Sequence, residues 1–182
     1  MVKKTNVKLS EIYPKYSAPD GGGDKGTAHS YIEIYERYLD PKKSLLEIGV
    51  WEGHSLAMFE EFFSGYVIGI DIDLSRKKYG SNAAFCNATN AIHVRETLKG
   101  RKFDYIIDDG SHRIEDQLKS LELLWDYLAP DGVYFIEDIR SDSALERIYK
   151  AAQELSTDWE SFDLRKNKGR SDDILIAIRK VD

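Results

Sequence analysis

The feature that most constrains this chain is an alternation of short apolar runs with stretches of helical spacing. Four runs end abruptly in glycine or acid: Leu45-Leu46-Glu47-Ile48-Gly49; Tyr66 to Ile70, followed by Asp71; Phe103 to Ile107, followed by Asp108 and Asp109; and Val133 to Ile136, followed by Glu137 and Asp138. Runs this short suit strands, and between them lie amphipathic segments. Leu56, Phe59 and Phe63 mark one helix face, residues 91–98 a modest helix, and Ile114, Leu118, Leu121, Trp125 and Leu128 share a face in steps of four and three. Glu115 and Asp116 fall in the first turn of that last helix, where the dipole favours negative charge.

Strands alternating with helices predict βαβ units and a parallel sheet. The spacing adds one or two helical turns from Ser75 to Tyr79, a brief strand at Ala83 to Cys86, and a helix from about Ser143 to Leu155. Ala129-Pro130-Asp131-Gly132 is expected to separate the long helix from the strand after it. The runs at Trp159 to Leu164 and Ile174 to Ile178 flank a loop, Arg165 to Ser171, and read as a hairpin. The expected fold is therefore α/β and doubly wound, a mostly parallel seven-stranded sheet with a C-terminal antiparallel hairpin. Residues 1–18 show no periodicity, Pro19 to Gly26 is a glycine-rich linker or lid, and Tyr31, Ile34, Tyr35 and Tyr38 predict a helix from Ala28 to Leu39. One core domain, 41–182, with a covering segment, 1–40, fits a length of 182 residues.

A hydrophobic fraction of 42% with 32% charged residues is that of an ordinary soluble domain. A net charge of −6 without a long basic run argues against a nucleic-acid surface, and Arg76-Lys77-Lys78 and Arg165 to Lys168 read as solvated faces. Cys86 is the single cysteine, so neither an internal disulfide nor a cysteine metal cluster can form. With no signal-peptide core and no membrane-length apolar run, the expected location is cytoplasmic, away from membranes.

In open α/β sheets, ligands bind at the carboxyl ends of the strands. Glu47, Gly49, Gly53 and Ser55 form E-x-G-x-x-x-G-x-S between the first strand and its helix, where glycines permit a tight turn and the helix start offers free N–H groups. This is neither the dinucleotide fingerprint nor a P-loop, and Glu47 suits a cationic or donor-rich ligand better than a pyrophosphate. Asp71, about 20 residues beyond the glycines, stands where such folds hold a ribose, with Asp73 as the second candidate. Asp109, Glu137 and Asp138 converge at two adjacent strand ends and would repel one another unless neutralised, which points to a hard divalent cation such as Mg2+. A hydroxyl on that ion would be more acidic, and His112, three residues past Asp109, is suited to take its proton. Asp108 is assigned a supporting role. The plainer alternative makes Ser111 the N-cap of the next helix, with Asp108 and Asp109 bonding loop amides.

The glycine loop and Asp71 resemble the cofactor half of class I S-adenosylmethionine-dependent methyltransferases. The motifs IIDDGSH and YFIEDI are similar to those of the metal-dependent sugar O-methyltransferases of macrolide biosynthesis, the mycinamicin and macrocin type, and of the related rhamnosyl O-methyltransferases and so-called cephalosporin hydroxylases. The resemblance covers about residues 24–180. It implies a Rossmann-like methyltransferase fold and S-adenosyl-L-methionine bound by Glu47, Gly49, Gly53, Ser55, Asp71 and Asp108. It further implies Mg2+ held by Asp109, Glu137 and Asp138, with His112 as base. DKGTAHSYIEIY resembles the segment that closes the cofactor site before the first strand, with Lys25, His29 and Tyr31 as its marked positions. Arg170 to Leu175 matches a recurrent pattern ahead of a strand, and Asn87 and Asn90 stand near the adenine position. The implied acceptor is a small-molecule hydroxyl, on a sugar. A catechol-type phenol and a non-catalytic cofactor-binding regulator are the alternatives. The resemblance starts without the large N-terminal domain of some macrolide enzymes and its second crossover is short, both of which bear on the acceptor. The tyrosine-rich first helix is left to pack on the core or on a second subunit of a homo-oligomer.

Overall fold

The apolar runs become strands β1 (Leu45–Ile48), β2 (Val67–Asp71), β3 (Ala83–Phe85), β4 (Phe103–Asp108) and β5 (Leu128–Ile136) in a computed structural model that describes residues 7–17 and 23–181. With β6 (Trp159–Asp163) and β7 (Ile174–Arg179) they form one seven-stranded sheet in the order β3-β2-β1-β4-β5-β7-β6. The pairings from β3 through β5 are parallel, whereas β7 runs antiparallel to both β5 and β6, as the hairpin reading requires. Among the described residues, no helix is long and apolar enough to cross a membrane.

Every residue of β1 is buried because both sheet faces are covered, which explains its continuous apolar character. One face packs under α1 (Leu9–Ile12), α2 (Ile32–Tyr38) and α3 (His54–Phe62), through Leu9, Tyr35, Leu56 and Phe59 against Leu45, Tyr105, Ile107 and Phe135. The other packs under α4 (Ala91–Leu98), α5 (Ile114–Leu124) and α6 (Asp142–Leu155), through Val94, Leu121, Leu124 and Ile148 against Leu46, Ile106, Tyr134 and Ile136. Tyr31 and Tyr35 are fully buried in the chain's own structure, so their rings pack inward.

The structure departs from the sequence expectation in several places. The helix expected from Ala28 begins at Ile32, as α2, because residues 25–31 turn to send side chains to the strand ends. Ser75 to Tyr79 forms turns without a helix, and the amides of Lys78 and Tyr79 both bond the Glu52 carbonyl at 2.9 Å. The expected break at 129–132 lies within β5, at a register shift opposite Phe103 and Tyr105. The loop after β6 contains a four-residue helix, α7 (Arg165–Lys168). Leu9 and Ile12, in a segment without periodicity, are buried. Of the glycine-rich loop, residues 19–22 lie outside the described residues.

β1 has β2 on one side and β4 on the other, so the chain reverses its direction of winding between β1 and β4. A crevice opens at such a point. Gly49 makes it possible: its φ is +88°, and a Cβ there would lie 2.0 Å from the Asp109 carbonyl oxygen. Gly49→Ala is accordingly expected to lower stability by about 3 kcal/mol through strain and overlap, read as a fall in melting temperature. An unchanged melting temperature would contradict this close approach.

Candidate active site

A cavity of about 710 Å³ lies over the carboxyl ends of β1, β2 and β4, within the size range of small-molecule sites. Gly49 and Ser55 line it, and Ile48, Ile70, Ile72, Cys86 and Ala88 give it apolar surface. Gly53, with φ +87°, is the N-cap of α3 and lies behind the lining; a Cβ there would meet the Tyr79 carbonyl. Asp71 lines the cavity and also braces the glycine loop. Its Oδ2 accepts from the Val50 and Trp51 amides at 2.7 and 3.1 Å, and its Oδ1 accepts from the Asp73 amide. Asp73 accepts in turn from the Ser75 amide. Asn87 lines the cavity, whereas Asn90 caps α4 by accepting from the Ile92 and His93 amides.

At the other end of the same cavity are Asp109, His112 and Asp138. Each offers a ligand atom, and those atoms lie within 4.8 Å of one another. His112 Nε2 is 3.6 Å from Asp138 Oδ2 and 4.0 Å from Asp109 Oδ1. Glu137 is turned away from this group. Both its oxygens accept from the Lys25 ammonium at 2.8 Å, and Tyr35 donates its hydroxyl to the same carboxylate. Lys25 also donates to Asp109 Oδ2 at 2.6 Å and stands 4.0 Å from Glu47. Burial alone would favour loss of its proton, but Asp109, Glu137 and Glu47 more than offset this and hold the ammonium charged.

Strand alternation separates Asp108 from Glu47, Asp109 and Glu137. Leu45, Tyr105, Ile107, Val133 and Phe135 share the face beneath α2 and α3. Counting by two from them places Glu47, Asp109 and Glu137 toward that face, where Lys25 enters. Asp108 falls with Ile106 on the opposite face, where Ser120 Oγ donates to it at 2.7 Å and Tyr134 at 3.4 Å. Burial pushes its carboxyl up to about 6. Glu47 is likewise pushed up to about 7 by burial, against the pull of Lys25 and of the Ser55 side chain.

The segment before α2 is latched over these groups. Tyr31 donates its hydroxyl to Asp138 Oδ1 at 2.7 Å, His29 Nδ1 lies 3.2 Å from the same oxygen, and the two rings stack. Ser30 donates its amide and hydroxyl to Asp173. Ser111 is not the helix cap: it bonds Asp116, and Arg113 takes the N-cap position of α5. Sequence reasoning missed Tyr35, Ser120 and His54, whose buried ring borders the cavity beside Tyr79. It also missed that Trp51, His112 and Asp138, all on the cavity wall, have positive φ of 49°, 56° and 54°. Such backbone strain concentrates at functional sites.

A doubly wound sheet with a reversed C-terminal hairpin, and a cleft at its switch point that joins a glycine loop to an acidic end, defines the Rossmann-like methyltransferase class of fold. The chain belongs to the methyltransferase domain family, whose model matches residues 46–139. It is 31% identical over 142 residues to demethylmacrocin O-methyltransferase of Streptomyces fradiae, and equally to mycinamicin VI 2''-O-methyltransferase of Micromonospora griseorubida. Each alignment covers 72% of this chain and 36% of the relative, so the chain spans about a third of those proteins. Among solved structures it is similar to the MycE methyltransferase of the mycinamycin biosynthetic pathway, in complex with Mg and SAH, at a TM-score of 0.73 and 21% identity, covering 97% of this chain and 56% of that one.

Because Glu47 ionises near pH 7 when folded rather than at 4.5, its contribution to stability is present at low pH and is lost as pH rises through about 7. Glu47→Gln keeps the shape of the neutral acid and removes that loss. In metal-free buffer its stability relative to the parent is expected to rise by on the order of 2 kcal/mol between about pH 5 and pH 8, measured by denaturant unfolding. A pH-independent difference would show that Glu47 is not held neutral by burial.

Proposed function

We propose that this chain is an S-adenosylmethionine-dependent O-methyltransferase, assisted by Mg2+, that methylates a hydroxyl of a sugar or sugar-containing small molecule. The observation that carries the reading is that Asp109, His112 and Asp138 open onto the same cavity as Gly49 and Asp71. A base, an oxygen-rich cation site and a cofactor loop share one space. The two relatives named above, demethylmacrocin O-methyltransferase and mycinamicin VI 2''-O-methyltransferase, support a hydroxyl acceptor of this class.

The donor set fits a hard cation: the two carboxylates offer ligand oxygens that lie within 4.8 Å of each other and of a His112 ring nitrogen. Asp109 and Asp138 would hold it, with Glu137 immediately behind them. When bound, the cofactor supplies an electrophilic methyl group and the cation makes a nearby hydroxyl more acidic. The chain's own residues do the rest. Ile48, Ile70, Cys86 and Ala88 offer an apolar bed for a flat ring, and Asp71 and Asn87 offer polar edges to its sugar. His112 accepts the hydroxyl proton, and Asp138, 3.6 Å from its Nε2, stabilises the imidazolium that results. Residues 24–31 form the cover that excludes water from the acidic end.

Asp109→Ala and Asp138→Asn are each expected to lower methyl transfer by about a thousandfold while cofactor affinity stays within about threefold. His112→Ala is expected to lower turnover by about a hundredfold to ten-thousandfold. Methyl transfer is read as a mass gain on sugar acceptors and cofactor affinity by calorimetry. A folded protein that binds no S-adenosylmethionine would overturn the reading, as would equal loss of binding and turnover in Asp109→Ala.

A further inference from the structure

Lys25 is 1% exposed, although lysine is almost never fully buried without a partner. It comes from the covering segment, not from the sheet, and its ammonium enters between β1, β4 and β5 to reach Asp109 Oδ2 and both oxygens of Glu137. The remaining contacts of the acidic cluster are divided just as clearly. Tyr35 serves Glu137, while Tyr31 and His29 approach Asp138 Oδ1. What faces His112 is the outer pair of oxygens, Asp109 Oδ1 and Asp138 Oδ2.

We infer that Lys25 is a positioning residue for the divalent-ion centre: a tethered internal cation that fixes Asp109 and Glu137 so that only the outer carboxylate oxygens are presented to the ion. The inference rests on reading the acidic strand ends as a cation site. Charge accounts for the division. When ionised, Asp109, Glu137 and Asp138 bring three negative charges, which one ammonium and one divalent ion balance. Like charges also repel across a poorly screened interior, so the ammonium weakens the attraction between the cluster and any ion beside it. In return it holds the acids in one orientation. Mg2+ demands near-octahedral geometry while Ca2+ tolerates irregular sites, so a fixed orientation favours Mg2+. Lys25 therefore trades affinity for selectivity.

This sets opposite signs for two measurements that a merely structural lysine would move together. Mn2+ binding to the full chain is followed by electron paramagnetic resonance, with Mg2+ and Ca2+ as competitors, for the parent protein, Lys25→Met, and Lys25→Met combined with Glu137→Gln. Lys25→Met is expected to bind Mn2+ at least about threefold more tightly, while its preference for Mg2+ over Ca2+ falls about tenfold. The double variant removes the Glu137 negative charge together with the ammonium's positive one, so the cluster keeps the parent's net charge without its ammonium. Its Mn2+ affinity is expected within about twofold of the parent, with the Mg2+ preference still lost. Weaker or unchanged Mn2+ binding in Lys25→Met, or an undiminished Mg2+ preference in either variant, would overturn the inference. If Lys25→Met does not fold, the double variant decides by the same two readings. Absence of Mn2+ binding by the parent protein would instead overturn the cation-site reading itself, and this inference with it.

Discussion

The crowding of carboxylates at the carboxyl ends of β1, β4 and β5 is the constraint on which the rest of the structure depends. Glu47, Asp108, Asp109, Glu137 and Asp138 approach one another in an interior that would not tolerate so many unpaired charges. The fold meets this in three ways. Asp108 is turned to the opposite face and bonded by Ser120 and Tyr134. Glu47 is held near neutrality by burial. Asp109 and Glu137 share the Lys25 ammonium, leaving Asp138 with Tyr31 and His29. Since Lys25, His29 and Tyr31 all belong to one short stretch, solving the charge problem also ties the cover to the site.

The sheet was legible because its apolar runs are short and end in residues that no buried strand would keep. Gly49 and the acids after Ile107 and Ile136 marked the ligand side before any topology was known. The tyrosine-rich helix was drawn from Ala28 because Tyr31, Ile34, Tyr35 and Tyr38 recur at helical spacing, yet the Ser30 and Tyr31 side chains are claimed by Asp173 and Asp138, and such long-range partners leave no local signal. Leu9 and Ile12 were invisible for the same reason: their burial depends on what lies beneath them, not on periodicity. The orientation of Glu137 was available in principle. Counting by two from Val133 and Phe135 directs it toward the α2 face, where Lys25 enters, although its membership of an acidic pair grouped it with Asp138. No pattern in the sequence announces the positive φ of Trp51, His112 and Asp138, because tertiary packing imposes it.

The two halves of the site reach the cavity by different physical routes. The proposed cofactor half is a backbone device: Gly49 removes a side chain where β1 meets the Asp109 carbonyl, and Asp71 ties the loop amides in place. The acidic half is a side-chain device whose members come from β4, β5 and the segment ahead of α2. Their shared position is a consequence of the strand order, which places β4 between β1 and β5. A chain of this family that spans only about a third of its curated relatives thus still brings every part of the proposed chemistry to one cleft.

The central claim is that cation and cofactor methyl meet in that cleft. The most direct measurement is the paramagnetic broadening of the methyl resonance of isotope-labelled S-adenosylmethionine by Mn2+ in the presence of the protein. The account predicts strong broadening that requires the folded chain, is reversed by excess Mg2+, and disappears in Asp138→Asn although the cofactor stays bound. A bound cofactor whose methyl resonance is untouched by bound Mn2+ would place the two in separate sites and contradict it.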